Sequence, residues 1–267
     1  MALACSTTVA SDRPLDEALG RIAALGVRHV DLLAMDGWAH VSPRELARDW
    51  DRASNRVAAA LRKHGLELAA LNTAPSVPVD RRDVEANARR AAETMGLIRL
   101  MKAHGVKVAS LQPKCDDPDR PWRETLEAAA ATFRDQVALA AAAGVVFGVE
   151  LHEGSPFEGL VQSKALLDAV PGLAVTYDPS HPVMQGIPLA DTAWLVARAA
   201  HVHVRDAARD RMCVPMGKGS VDFEWVLAEL GKCGYRGHVA IEYLVSNEYD
   251  AVAETRKALD YLAPRWS

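Results

Sequence analysis

Cysteine is scarce in this chain: Cys5, Cys115, Cys213 and Cys233 are the whole set, and no two stand in C-x-x-C spacing. That excludes a zinc ribbon or a vicinal redox pair and leaves free thiols as the expectation. Reduced thiols fit a cytoplasmic protein. Long hydrophobic runs are missing as well. The apolar stretch 128–149 is broken by Arg134 and Asp135, so nothing reaches the roughly 18 residues of a membrane span. The opening MALACSTTVASDR has neither a cationic start nor a long apolar segment, so no signal peptide is expected. Basic excess is also lacking. The 31 Lys and Arg are outnumbered by 35 Asp and Glu, for a net charge of −4, and no basic stripe runs along any expected helix. Neither nucleic acid nor a membrane surface is therefore an expected partner.

The chain does have 49% hydrophobic residues over 267 positions, enough for a sizeable core. Short apolar, β-branched runs alternate with long Ala/Leu/Arg-rich stretches. Strands are expected at 3–8, 27–33, 66–71, 106–111, 145–151, 173–177, 201–204 and 238–243. Between them lie helices with recognisable starts. Ser42-Pro43-Arg44-Glu45 reads as a capping box, and Asp80 and Asp222 as N-caps. Gly26, Gly65, Gly105 and Gly144 each fall between a helix and the next strand, where a left-handed turn favours glycine. Eight strands alternating with helices predict an α/β fold with a parallel sheet, and the length suits a (β/α)8 TIM barrel of about 250 residues. No linker is visible, so a single domain over 1–267 is expected. The Pro- and Gly-containing stretches 73–78, 154–159, 179–188 and 207–220 all follow expected strands, on the face where such barrels carry their sites.

The last four expected strands each end in a side chain that can bind a cation: Glu150, Asp178, His203 and Glu242. Singly, each has a bland explanation. A glutamate at a strand end is usually solvated, an Asp before Pro usually forms a turn, and a core histidine is usually just hydrogen-bonded. Recurrence in phase with the strands changes the balance, because parallel neighbours would gather three carboxylates and an imidazole around one pocket. Such donors suit one divalent metal ion, with Mn2+ the first choice and Mg2+, Co2+ or Zn2+ as alternatives. His201 and His203 alternate along strand seven, so one is expected to face the barrel and the other a helix. His152 and His181 follow two of the acids closely and are candidates for donating to a substrate oxygen. Arg205-Asp206 reads either as an oxygen-polarising arginine or as an ion pair shaping the loop. Gly217-Lys218-Gly219 lacks a phosphate-binding spacing and reads as a rim turn. His40, Trp38 and Trp122 either line the mouth or pack beneath loops.

The E-L-H after strand five, D-P-S-H after strand six, H-V-H-V-R-D of strand seven and G-K-G-S-V-D-F with G-Y-R-G-H-V-A-I-E together resemble the sugar phosphate isomerase/epimerase superfamily. That resemblance implies a xylose isomerase-like TIM barrel with Glu150, Asp178, His203 and Glu242 as metal ligands. It implies His181 and Arg209 as substrate contacts. It also implies a small polyhydroxy carbonyl substrate, proton abstraction alpha to the carbonyl with Glu150 and Glu242 as catalytic carboxylates, and a homo-oligomer. Asp31 stands in strand two where many relatives carry Glu, and Pro156 lies near a position after strand five where an acid is often found.

Three alternatives remain open at this level. Expulsion of a β-hydroxyl from the same enolate would make the protein a dehydratase (lyase) of the inosose or 3-dehydroshikimate type. A barrel without turnover would be a binding subunit. A nuclease resembling endonuclease IV is disfavoured, because Leu71-Asn72-Thr73 and Leu111-Gln112-Pro113 carry no histidine and the charge is acidic.

Overall fold

Strands with near-continuous apolar sequence must be covered on both faces, and a closed parallel barrel wrapped in helices does this. The computed structural model describes residues 2–265. Eight parallel strands close into one barrel in chain order, the first pairing with the last. They are β1 (Ala2–Ser6), β2 (His29–Met35), β3 (Glu67–Ala74), β4 (Val108–Leu111), β5 (Val146–Glu150), β6 (Ala174–Tyr177), β7 (Ala199–Val204) and β8 (His238–Ile241). The outer layer is α1 (Leu15–Ala24), α2 (Pro43–Arg48), α3 (Trp50–His64), α4 (Val84–Ala103), α5 (Trp122–Ala143), α6 (Leu160–Ala169), α7 (Ser180–Gln185), α8 (Ala193–Val196), α9 (Phe223–Lys232) and α10 (Ala251–Leu262). The expected (β/α)8 TIM barrel is what forms. Among the described residues, no helix is long and apolar enough to cross a membrane.

The apolar core lies between barrel and helices. Leu19 and Ile22 of α1, Leu97 and Ile98 of α4, and Phe133 of α5 bury their side chains fully against the strands. Local signals explain the helix boundaries. Ser42 Oγ accepts the Glu45 N–H at 3.0 Å, and Asp222 accepts the Trp225 N–H at 2.9 Å. Gly26, Gly65, Gly105 and Gly144 take φ of 78°, 66°, 70° and 71°, the left-handed region that lets each helix turn directly into the next strand.

Two expectations need correction. Asp80 is not an N-cap: α4 is capped three residues later, where Asp83 accepts the Ala86 N–H at 2.9 Å. Asp80 is instead buried, accepting the Asp116 N–H at 3.0 Å and standing 3.3 Å from Arg120, and so ties the loop after β4 to the loop after β3. Strand β3 also runs on to Ala74, because pairing with β2 continues through Asn72 and Thr73 and Thr73 Oγ1 donates to Ala34 O at 2.6 Å.

Gly148 in β5 lies close against the backbone of β6. A Cβ there would stand 2.9 Å from the backbone N of Thr176 and the carbonyl carbon of Val175 in β6. Since the obstacle is backbone, Gly148→Ala is expected to destabilise the barrel by about 1–3 kcal/mol in chemical denaturation. A midpoint equal to that of the parent protein would show that β6 yields at no cost.

Candidate metal centre at the barrel mouth

Rigid strand ends deliver the four expected side chains to one point. Glu150 is the last residue of β5, Asp178 and Glu242 directly follow β6 and β8, and His203 is the penultimate residue of β7. One donor atom from each lies within 4.8 Å of every other. His203 Nδ1 is 3.1 Å from Glu150 Oε1 and 3.5 Å from Glu242 Oε2. Donors held about 2.1 Å from a shared ion stand roughly 3.0–3.4 Å apart, so these separations fit one cation with little movement. Glu150 Oε2 has no hydrogen-bond partner. Asp178 Oδ2 has none either, although Arg205 Nη2 lies 2.8 Å away, so that contact is one of charge without a directed hydrogen bond. Relative exposures of 1% for Glu150, 4% for Asp178, 0% for His203 and 3% for Glu242 keep the cluster out of bulk water. Buried, crowded carboxylates with unused oxygens are a suitable set for a hard or borderline divalent ion.

Four further groups complete the cluster. Arg205 is fully buried; its Nη1 donates to Glu242 Oε2 at 2.6 Å and its Nε to Ser180 Oγ at 3.0 Å. Asn72 Nδ2 donates to Glu242 Oε1 at 2.6 Å. Asp31 Oδ2 accepts from His203 Nε2 at 2.7 Å. His181 Nε2 stands 3.6 Å from Glu150 Oε1, and its Nδ1 accepts the Glu153 N–H at 3.2 Å. Of these, only Arg205 and His181 were expected at the site. Asp31 and Asn72 had a readable signal, a polar residue inside an otherwise apolar strand, which goes against burial unless it is partnered.

Electrostatics separate the two glutamates. Burial pushes Glu242 up to about 7, against the opposing pull of His203 and Arg205. Burial also opposes the charge of Glu150, but His203 and His181 outweigh it and hold its carboxyl well below the usual range. His203 itself resists desolvation because Glu242, Glu150 and Asp31 surround it, and it is held well above the ordinary imidazole value. Without a metal, an imidazolium therefore occupies the centre of the carboxylates.

Other expected residues take different places. His201 and His203 do not face opposite ways: both contact Asp31 Oδ2, and their ring centroids are 4.9 Å apart. Residues two apart on a strand share a face, which is the rule that overturns the expectation. Arg205 and Asp206 do not pair with one another. Asp206 accepts the Gly217 and Gly219 N–H groups at 2.8 and 2.9 Å, so the glycine turn wraps a carboxylate of its own chain. His152 lies beside His181, with ring centroids 4.5 Å apart, and lines a cavity of about 730 Å³ between the loops after β4 and β5. Trp122 borders the same cavity, edge-on to Phe157. His40 packs beneath a loop, bonded to Thr7 Oγ1 and Ala10 O at 3.0 and 3.1 Å. Arg209 is not brought to the cluster; its side chain is 69% exposed beside Asp210.

Comparison with known proteins bears on this arrangement. Curated proteins give no match. Among solved structures, the chain is similar to IolI protein with a zinc atom, at 20% identity and a TM-score of 0.75 with 100% of both chains covered. It is similar to D-allulose 3-epimerase from Methylomonas sp. in complex with D-allulose, at 19% identity and a TM-score of 0.78 over 99% of this chain and 97% of that one. A third is 3-keto-D-glucoside 4-epimerase from E. coli, at 17% identity and a TM-score of 0.72 over 99% of both chains. At these identities the likeness speaks for the fold. A sequence profile for the xylose isomerase-like TIM barrel matches residues 19–265, and the chain belongs to that family.

Proposed function

We propose that the protein is a divalent-metal-dependent isomerase or epimerase of a small ketose or keto-polyol. The observation that carries this reading is the convergence of Glu150, Asp178, His203 and Glu242 on one point, with two carboxylate oxygens left unused. These four residues would hold the ion, with Mn2+ as first choice. The sugar-epimerase names among the fold relatives support the substrate class. The bound metal would supply Lewis acidity that makes the C–H alpha to the carbonyl more acidic.

The chain's own groups supply the proton transfers. Glu150 and Glu242 come from non-adjacent strands and approach the shared point from different directions. Glu150, held ionised, takes the proton from the carbon alpha to the carbonyl, and the C–H electron pair moves into an enediolate. Glu242, ionised as a ligand, would take up a proton from water and return it to the enediolate from the other side. Return to the same carbon gives the epimer, and return to the neighbouring carbon gives the isomer. The reverse reaction exchanges the two roles. His181, beside Glu150, would contact a substrate oxygen, and His152 would meet the rest of the substrate in the cavity it lines. Arg205 keeps Asp178 and Glu242 in place and offsets part of their charge.

Glu150→Gln and Glu242→Gln are each expected to lower turnover by about 10²–10⁴-fold. Ketoses, inososes and dehydroshikimate followed by NMR in deuterated buffer give the readout. The parent protein should incorporate solvent deuterium at one carbon of its substrate; either variant turning over at the parent rate refutes that residue's role. Loss of a carbon-bound hydroxyl would identify the dehydratase reading instead.

Metal affinity should rise with pH. His203 Nδ1 and the Glu242 carboxyl both carry protons near neutrality, and both must lose them to become ligands, so acid competes with the ion. Calorimetry in two buffers of different ionisation enthalpy should show proton release on binding. An affinity unchanged between about pH 6 and about pH 8 would contradict the ligand assignment.

A further inference from the structure

An acid inside a buried strand calls for a physical reason. Asp31 lies on β2 with 0% exposure, and the residues flanking it, Val30 and Leu32, are buried and apolar. Its Oδ2 accepts from His203 Nε2 at 2.7 Å and lies 3.5 Å from His201 Nε2. Its Oδ1 and His201 Nε2 both lack a hydrogen-bond partner. The two nitrogens of the His203 ring are thereby divided between two neighbourhoods. Nδ1 faces Glu150 and Glu242, whereas Nε2 faces Asp31 alone.

A metal-bound imidazole gives up the proton on its ligand nitrogen and keeps the one on the other nitrogen, which then needs an acceptor. Only Nδ1 shares a point with the carboxylates of Glu150, Asp178 and Glu242. We propose that Asp31 is the positioning residue of the metal centre: it holds the Nε2 proton of His203 and so fixes the ring with Nδ1 turned toward the ion. The proposal rests on the metal-dependent reading above and adds a residue that touches neither ion nor substrate. His201, on the same face of β7, flanks the same carboxylate.

The same atoms have one competing use. Asp31, His201 and His203 also bring donor atoms within 4.8 Å of one another, as a second ion would require. The Asp31–His203 separation of 2.7 Å argues against it. Two donors sharing an ion at about 2.1 Å stand roughly 3 Å or more apart, so 2.7 Å is a hydrogen bond. A second ion would also strip both protons from the His203 ring.

Co2+ provides the test, because its visible spectrum reports ligand geometry while chelator competition reports affinity. In the full-length protein, Asp31→Ala is expected to weaken Co2+ binding about 10–100-fold. Asp31→Asn keeps an acceptor oxygen for Nε2–H but loses the charge, and should weaken it less, with a cobalt spectrum closer to that of the parent. A downfield imidazole N–H resonance should be present in the loaded parent protein and lost in Asp31→Ala. If Asp31→Ala does not fold, Asp31→Asn and the parent resonance still decide. Affinities within about twofold of the parent in the variants that fold would overturn the proposal, since an orienting hydrogen bond to a metal ligand carries more than that. So would two Co2+ per chain with one lost in His201→Ala. A parent protein that binds no divalent ion would instead sink the metal-dependent reading, and the proposal with it.

Discussion

Charge neutralisation inside a water-poor barrel mouth is the constraint on which this structure turns. Asp31, Glu150, Asp178 and Glu242 are all buried within one small volume. Isolated carboxylates in such a setting would be strongly destabilising, so each must find a cation or take up a proton. Arg205 and His203 meet part of the demand, and burial raises the affinity of Glu242 for a proton, which relieves part of the rest. A divalent ion satisfies the same demand more fully. The site is thus organised around positive charge whether or not metal is present.

The barrel makes this arrangement possible by separating rigidity from chemistry. Strand ends fix the ligands, while the loops beyond them are pinned by buried acids that have no part in the cluster. Asp206 gathers the N–H groups of the turn at 217–219, and Asp80 joins the loops after β3 and β4. Glu93 does the same at Ser76, accepting its N–H and its hydroxyl at 2.6 Å each. Each clamp orders a connection on the ligand-bearing face through backbone groups. Little conformational freedom is left to lose when a substrate arrives, which favours a preorganised site.

The fold was legible in the sequence because apolar runs and helix-ending glycines recur at the βα period, and that period is local. The convergence of four strand-end donor side chains was legible for the same reason: their spacing follows the strands. What could not be read depends on contacts across the barrel. Asp31 and His203 are distant in sequence and meet only when β2 and β7 face each other through the interior. Asn72 and Glu242 are a similar case. The choice between Asp80 and Asp83 as a helix cap is settled by whether a loop elsewhere needs a carboxylate, which no local pattern records. Arg209 was placed at the site by resemblance alone, whereas Arg205 occupies the position beside the carboxylates. The misjudged histidines had a purely local answer, since the two-residue period of a strand puts His201 and His203 on one side.

The asymmetry of the mouth limits how a substrate can approach. On the β7–β8 side the carboxylates are engaged by Arg205, whose contacts with Asp178, Ser180 and Glu242 leave that flank occupied. On the β4–β5 side the histidine pair leads from Glu150 into the cavity bordered by Trp122 and Lys114. Under the proposed function, a substrate with its reacting carbons between Glu150 and Glu242 would extend its remaining carbons past His181 and His152. Recognition of those carbons falls to the loops after β4 and β5, while the chemistry stays with the strand ends. On that proposal, one donor set could serve carbonyl substrates of different length, with selectivity set by the walls of the cavity.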